Sequence, residues 1–138
     1  MVRFKPVRSL PRGLGGGHAG EIVASYADLR KVLGVPWTAP RNDEHYKTST
    51  EWYVKCVNGS YFTVYDYKAT SRYSFTLPGV RKFRSLPFYQ WCIGHAGGSR
   101  YNVRAFKEWL EARIAALHAP AVPIVDECHG PNDIDYYI

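Results

Sequence analysis

Apolar residues recur at intervals of three and four in two stretches of the chain. Tyr26, Leu29 and Leu33 mark the first, and the spacing predicts a helix over Ser25 to Leu33. Ser25 suits the N-cap, with Asp28 three residues on, and Gly34 followed by Pro36 supplies a stop. Val103, Phe106, Leu110, Ile114 and Leu117 form the second stripe, which predicts a helix over Asn102 to Leu117 capped by Asn102. Between them the pattern changes. Glu51 to Val57 and Ser60 to Tyr67 are filled with β-branched and aromatic residues and flank Asn58-Gly59, the pair favoured in a two-residue type I′ turn. That turn sets Val57 opposite Ser60, Cys56 opposite Tyr61, Val54 opposite Thr63 and Trp52 opposite Tyr65. One face then carries Trp52, Val54, Cys56, Tyr61, Thr63 and Tyr65, and the other Tyr53, Lys55, Val57, Phe62 and Val64. Neither face is cleanly polar, so cover is expected on both, with a second subunit as one source. Phe88 to Ile93 reads as a further strand, leading through a glycine-rich turn, Gly94 to Ser99, into the last helix.

The order helix, hairpin, strand, helix predicts an α+β fold: a small antiparallel sheet, the hairpin plus one or two strands, with helices packed on one side. The chain of 138 residues suits one domain. Residues 1–19, with Pro6, Pro11 and a cluster of glycines, are expected to form a flexible basic arm. Residues 20–117 form the single domain, with a basic loop insertion at 69–87, and residues 118–138 an extended acidic tail. No run of 18 apolar residues is present, so no membrane partner is expected, and the basic N-terminus lacks the apolar segment of a signal peptide. Cys56, Cys92 and Cys128 are scattered without a CxxC pair, which fits a reducing cytoplasm better than a disulfide framework.

Charge sharpens the picture. The net charge is +6, and no Asp or Glu occurs from Tyr67 to Lys107, a stretch carrying Lys68, Arg72, Arg81, Lys82, Arg84, Arg100, Arg104 and Lys107. After Leu117 the sign reverses, with Asp126, Glu127, Asp133 and Asp135 and no Lys or Arg. A one-sign region of this length attracts phosphates. The glycine-rich turn is the first candidate for holding one. Gly94, His95, Gly97 and Gly98 let backbone N–H groups approach a ligand, and Asn102 opens a helix whose first turn has orphan donors. Arg100 and Arg104 stand beside that helix start and can grip phosphate with paired hydrogen bonds. The basic loop is the second candidate, with Arg81, Arg84 and Phe83 as ligand residues and Tyr73, Phe75 and Phe83 as stacking surfaces. Trp52, Tyr65, Trp91 and Trp109 read as core.

Catalytic signatures are weak. The histidines His18, His45, His95, His118 and His129 show no HxH or HxxxH spacing, so no metal is expected. Cys92 and His95 could form a nucleophilic pair, but Cys92 falls in a predicted buried strand, where a thiol is usually packing. Glu51 and Asp66 can face each other near the open end of the hairpin and read as sheet-edge structure.

The segments also match an ordered set of patterns: Tyr26-Ala27-Asp28-Leu29 with Leu33-Gly34-Val35-Pro36, Lys47-Thr48 with Glu51-Trp52, Val64-Tyr65-Asp66-Tyr67-Lys68, and Trp91-Cys92-Ile93-Gly94, followed by a final helix. In this the chain resembles, over roughly Gly20 to Leu117, a family of small bacteriophage proteins with the consecutive patterns YxxLxxxxGxP, KTxxEW, IYDWK and WxIGG. That family is here linked to the first type of anti-Thoeris sponge proteins. The resemblance implies an oligomer that binds cyclic ADP-ribose signals of bacterial immunity without cleaving them, some members holding cyclic oligonucleotides at separate sites. It implies pockets lined by Arg, an aromatic residue and the surroundings of the glycine after the tryptophan strand, which is Gly94 here. His95 stands where the pattern has a second glycine.

The leading expectation is therefore a phage-type anti-defence binding protein in the host bacterial cytoplasm. It would sequester a small cyclic nucleotide, use no cofactor, perform no catalysis and assemble as a homo-oligomer. The alternatives are a phage protein that binds nucleic acid or inhibits a host nucleic-acid-binding complex, and a phosphodiesterase using His95.

Overall fold

The computed structural model describes residues 4–14, 16–41, 45–97 and 102–119. In chain order they form strands β1 (Phe4–Val7) and β2 (Gly16–Ala24), helix α1 (Tyr26–Leu33) and strands β3 (Trp37–Thr38), β4 (Thr50–Cys56) and β5 (Tyr61–Tyr65). Helix α2 (Val80–Arg84), strand β6 (Tyr89–Ala96) and helix α3 (Val103–His118) complete the order. All strand pairings are antiparallel, in the order β1-β4-β5-β6-β2, with β3 joined to the start of β4. The α+β class is as the sequence predicts, and the sheet is larger, with six strands.

The extra strands come largely from the arm. β1 pairs along β4 and brings the Phe4 ring to 5.3 Å from Trp109. Eight of the nine residues of β2 pair with β6, its glycines included, with an irregularity between His18 and Gly20. A Cβ added at Gly16 would lie 1.9 Å from the His95 carbonyl oxygen, so glycine is what lets the two strands close there. The expected flexible arm thus supplies β1 and the start of β2. The acidic tail beyond Ala119 lies outside the described residues.

The hairpin differs from expectation by one residue. Glu51 pairs with Tyr65, Trp52 with Val64, Tyr53 with Thr63, Val54 with Phe62 and Lys55 with Tyr61. A type I′ turn needs positive φ at both central residues. Gly59 has φ +91°, but Lys68 is the single non-glycine residue with positive φ among those described, so Asn58 does not comply. The loop instead holds three residues, 57–59. It is closed by Cys56 N–H to the Ser60 carbonyl at 2.8 Å, while Asn58 Oδ1 accepts from the Ser60 N–H at 3.0 Å. A one-residue slip exchanges faces on one strand relative to the other. Trp52, Val54 and Cys56 therefore share the core face with Phe62 and Val64, all buried, while Tyr61, Thr63 and Tyr65 join Glu51, Tyr53 and Lys55 on the other face.

Helices α1 and α3 cover the core face. Leu29 and Leu33 of α1 and Phe106 and Leu110 of α3 are buried there, with the Phe106 ring stacked on Phe62 at 4.5 Å. Both caps form as predicted: Ser25 Oγ accepts from Asp28 N–H at 3.1 Å, and Asn102 Oδ1 from Ala105 N–H at 2.8 Å. The Trp91 and Trp52 indoles, 5.3 Å apart, donate to the carbonyls of Ala24 at 2.9 Å and Gly34 at 2.8 Å, which ties the two ends of α1 to the sheet. No helix among the described residues is long and apolar enough to cross a membrane.

Candidate functional site

The segment 69–87 is not the long loop its prolines suggest. Thr70 is buried; its carbonyl accepts from Tyr73 N–H at 2.9 Å, and the Pro78 carbonyl from Ser71 N–H at 2.7 Å. The chain then enters α2. Val80 and Phe83 of this short helix are buried, and Phe83 packs against Tyr89 at 4.8 Å and Trp91 at 5.4 Å. The opposite side of α2 carries Arg81 and Arg84, three residues apart and so neighbours on a helix surface.

Arg84 is the anchor of the basic cluster. Its Nη2 donates to Thr38 Oγ1 at 2.7 Å and to Thr50 Oγ1 at 3.1 Å, and its Nε to Thr50 Oγ1 at 3.3 Å. Its guanidinium carbon lies 4.6 Å from the centre of the Tyr26 ring. Nearby, Arg72 Nε donates to the Ala39 carbonyl at 3.0 Å. These residues border a hollow of about 870 Å³ lined by Arg41, Arg72, Arg81 and Arg84, with Tyr26 and Phe75 as its aromatic walls and Thr38, Ser71 and Ser85 as its hydroxyl residues. Its described lining contains no Asp, Glu, His or Cys. The ion pairs among described residues are His18–Glu21, Arg104–Glu108 and His118–Asp28, and none involves a pocket arginine. Burial pushes the Arg84 guanidinium pKa down; the neighbouring Tyr26 and Asp66 oppose this, and Arg72 and Arg30 add to it. An arginine remains charged regardless. A half-buried cation whose direct hydrogen bonds go to neutral hydroxyls can still gain a charge-assisted bond from an anion.

The glycine-rich turn looks different in the structure. Gly94 and His95 lie inside β6, which runs three residues past its expected end. A Cβ on Gly94 would lie 2.5 Å from Thr63 Oγ1 and 3.1 Å from Tyr65 Cε1, so packing accounts for this glycine. Gly97, with φ +66°, is the turn that ends the strand and packs on Leu14. The Asn102 side chain is spent on its cap, and Arg104 Nε pairs with Glu108 Oε1 at 3.1 Å while nine-tenths exposed. Gly98 and Arg100 lie outside the described residues. His95 borders a second hollow of about 230 Å³ on the sheet, with Leu10, Leu14, Thr63, Tyr65 and Gly94 among its neighbours, and does not line the arginine pocket.

Of the basic-loop candidates, the structure brings Arg81 and Arg84 together and turns Phe83 away into the core, 3% exposed, so Phe83 is not a stacking surface. Phe75 is the exposed aromatic of the pocket. Tyr73 instead sits under Lys68, whose Nζ is 5.2 Å from the ring centre. Sequence reasoning missed Tyr26, Thr38 and Arg41, because nothing local marks residues that meet only through β3 and α1. Cys92 and His95 are three apart on one strand and point to opposite faces, which removes the nucleophilic pair. Glu51 and Asp66 also part. Glu51 takes hydrogen bonds from Thr48 and Tyr53 on the outer face, while Asp66 is buried beside Ser49 and Thr50. Among the described residues no cluster of His, Cys, Asp and Glu is placed to hold a metal. Comparison with protein-family models returns no match, and neither does comparison with curated proteins.

Proposed function

We propose that this protein binds and holds, uncleaved, a small phosphate-bearing ligand in the arginine pocket. The cyclic nucleotide signals of bacterial immunity, of the cyclic ADP-ribose type, are the intended class, and the role is that of a phage-type anti-defence sponge. One observation carries the reading: four arginines surround a hollow of about 870 Å³ whose described lining has no acidic residue. That volume falls in the range of small-molecule sites, about 300–1,000 Å³. Arg groups suit phosphates, and the exposed Phe75 offers a ring face to a base. The class of nucleotide rests on the family resemblance of the motif set. The absence of a carboxylate, histidine or thiol from the described lining favours holding over cleaving, since hydrolysis needs an acid and a base, or a metal, within reach of one bond.

The test is to heat-denature the protein purified from cells containing the signal, identify released small molecules by mass spectrometry, and titrate the stripped protein with cyclic ADP-ribose isomers and cyclic oligonucleotides. Saturable binding and recovery of intact ligand are expected. Retardation of DNA or RNA with a steep salt dependence, and no small-molecule binding, would favour the nucleic-acid reading. Linear products that vanish in His95→Ala would favour a phosphodiesterase.

A further inference from the structure

Asp66 is fully buried at the end of β5 and is surrounded by donors. Its Oδ1 accepts the Ser49 N–H at 2.7 Å and the Thr50 N–H at 2.8 Å, and its Oδ2 accepts the Ser49 hydroxyl at 2.8 Å. The Ser49 and Thr50 hydroxyl oxygens are 3.4 Å apart. Thr50, fully buried itself, then presents its Oγ1 to Arg84, where it receives two of that guanidinium's three hydrogen bonds. The path from carboxylate to guanidinium is thus one residue long: Asp66 fixes the backbone of Thr50, and Thr50 fixes Arg84. The opposite charges also attract, Asp66 favouring the charged form of Arg84 across the intervening threonine.

A buried carboxylate is costly to keep, and three donors offset that cost only in part; burial still raises the Asp66 pKa against their pull. The strand ends alone do not need it. A strand end can be tied by neutral groups, as Ala39 N–H to the Ser49 carbonyl at 2.9 Å shows in the same corner. What a charge adds here is a fixed, oriented partner beneath an arginine whose direct acceptors are neutral.

We propose that Asp66 is a positioning residue of the arginine pocket: through Thr50 it fixes the guanidinium of Arg84 in the orientation that receives a phosphate. This rests on the pocket being the ligand site. Asp66 touches no ligand. It lowers the cost of binding by holding Arg84 still before the ligand arrives, which is how preorganisation raises affinity.

The experiment measures calorimetric affinity for two probes, inorganic pyrophosphate and cyclic ADP-ribose, in the full chain. The variants are Asp66→Asn, Thr50→Val, Thr50→Ser and Arg84→Ala, plus Asp66→Asn combined with Arg84→Ala. Asp66→Asn and Thr50→Val should each weaken binding at least about threefold, within the coupling expected inside one hydrogen-bond network. Thr50→Ser, which restores the hydroxyl, should recover most of the loss. In the Arg84→Ala background Asp66→Asn should cost nothing further, because its route to the ligand is gone. An equal loss in that background would mean a general structural lesion and would overturn the proposal. So would wild-type affinity in both Asp66→Asn and Thr50→Val while Arg84→Ala binds weakly, an outcome that leaves the pocket itself standing. If Asp66→Asn does not fold, the Thr50→Val and Thr50→Ser pair decides by the same criterion. If the wild type binds neither probe, the pocket reading fails and this inference with it.

Discussion

Replacing Arg84 and Arg104 by alanine, one at a time, separates the two basic regions the chain offers a phosphate. Arg84 is half-buried, has no carboxylate within ion-pair distance among the described residues, and is aimed by Thr38, Thr50 and the Tyr26 ring. A charge-assisted hydrogen bond from such a group is worth about 1.5–3 kcal/mol. At about 1.4 kcal/mol per decade, Arg84→Ala should weaken a phosphate-bearing ligand roughly ten- to hundredfold. Arg104 is already paired with Glu108, i to i+4, and its side chain is 90% exposed. It does not line the arginine pocket, so Arg104→Ala should change affinity by less than about threefold, and loss of an exposed pair of this kind should cost only about 0.3–0.5 kcal/mol of stability. The folded state should survive both changes: Arg84→Ala loses three hydrogen bonds to hydroxyls but also relieves a partly desolvated cation. Calorimetric titration with cyclic ADP-ribose, alongside thermal melting of each variant, reads both quantities. Wild-type affinity in Arg84→Ala together with a tenfold or greater loss in Arg104→Ala would place the ligand at the start of α3 and refute the arginine pocket.

Gly94→Ala should destabilise the fold by about 1–3 kcal/mol, an overpacking cost set by the 2.5 Å approach of the new Cβ to Thr63 Oγ1, and chemical denaturation with an unchanged midpoint would return this glycine to a ligand role. Gly59→Val should cost more than about 1 kcal/mol because the residue holds φ +91°, a region β-branched side chains resist, and a variant melting with the parent would show that the loop adopts another turn. Cys92 should show a raised thiol pKa, from burial first and then from the nearby charges of Glu21 and Asp66. Only the thiolate is alkylated, so peptide-resolved iodoacetamide labelling of Cys92 should rise with pH along a curve displaced above that of a free cysteine peptide, and a curve at or below it would contradict the placement.

The positions of α1 and α3 were legible in the sequence because caps and apolar spacing are local, whereas α2 fell within the segment read as a loop. Ser25, Asp28, Gly34 and Asn102 act as their types and spacing indicate. The sheet was only partly legible, for two physical reasons. Asn58-Gly59 fits both a two-residue and a three-residue loop, and the choice moves every partner by one; the buried pairs Val54–Phe62 and Trp52–Val64 favour the second, since the first sends Phe62 and Val64 to the face opposite Trp52. The glycines of β2 carry no β-propensity of their own, yet Gly16 is required by the close approach of β6, a long-range fact no window of sequence contains. The site was half legible. Arg81 and Arg84 were visible as an acid-free cluster, whereas Phe83 was misread because a five-residue helix turns it inward while turning both arginines out.

That helix explains why a basic cluster becomes a pocket here and not a solvated stripe. A flexible loop bearing Arg72, Arg81 and Arg84 would spread three like charges apart in water, and ordering them would cost conformational entropy on binding. Instead Val80 and Phe83 pin α2 to the core beside Trp91, and the paired segment from Thr70 to Pro78 returns Arg72 to the Ala39 carbonyl. Hydrophobic burial on one side of α2 thereby holds like charges together on the other, around a hollow that α1 and β3 complete with Tyr26 and Thr38. Self-repulsion among these cations is retained in the free protein, and the polyanionic ligand proposed above would relieve it on entry. The same arrangement fixes an order of importance among the four arginines. Arg84 and Arg72 are tied to the framework through Thr38, Thr50 and Ala39, while Arg41 and Arg81 stand exposed at the rim. The tied pair would meet the proposed ligand with its orientation already set, and the rim pair would contribute mainly through its charge, an effect that salt screens.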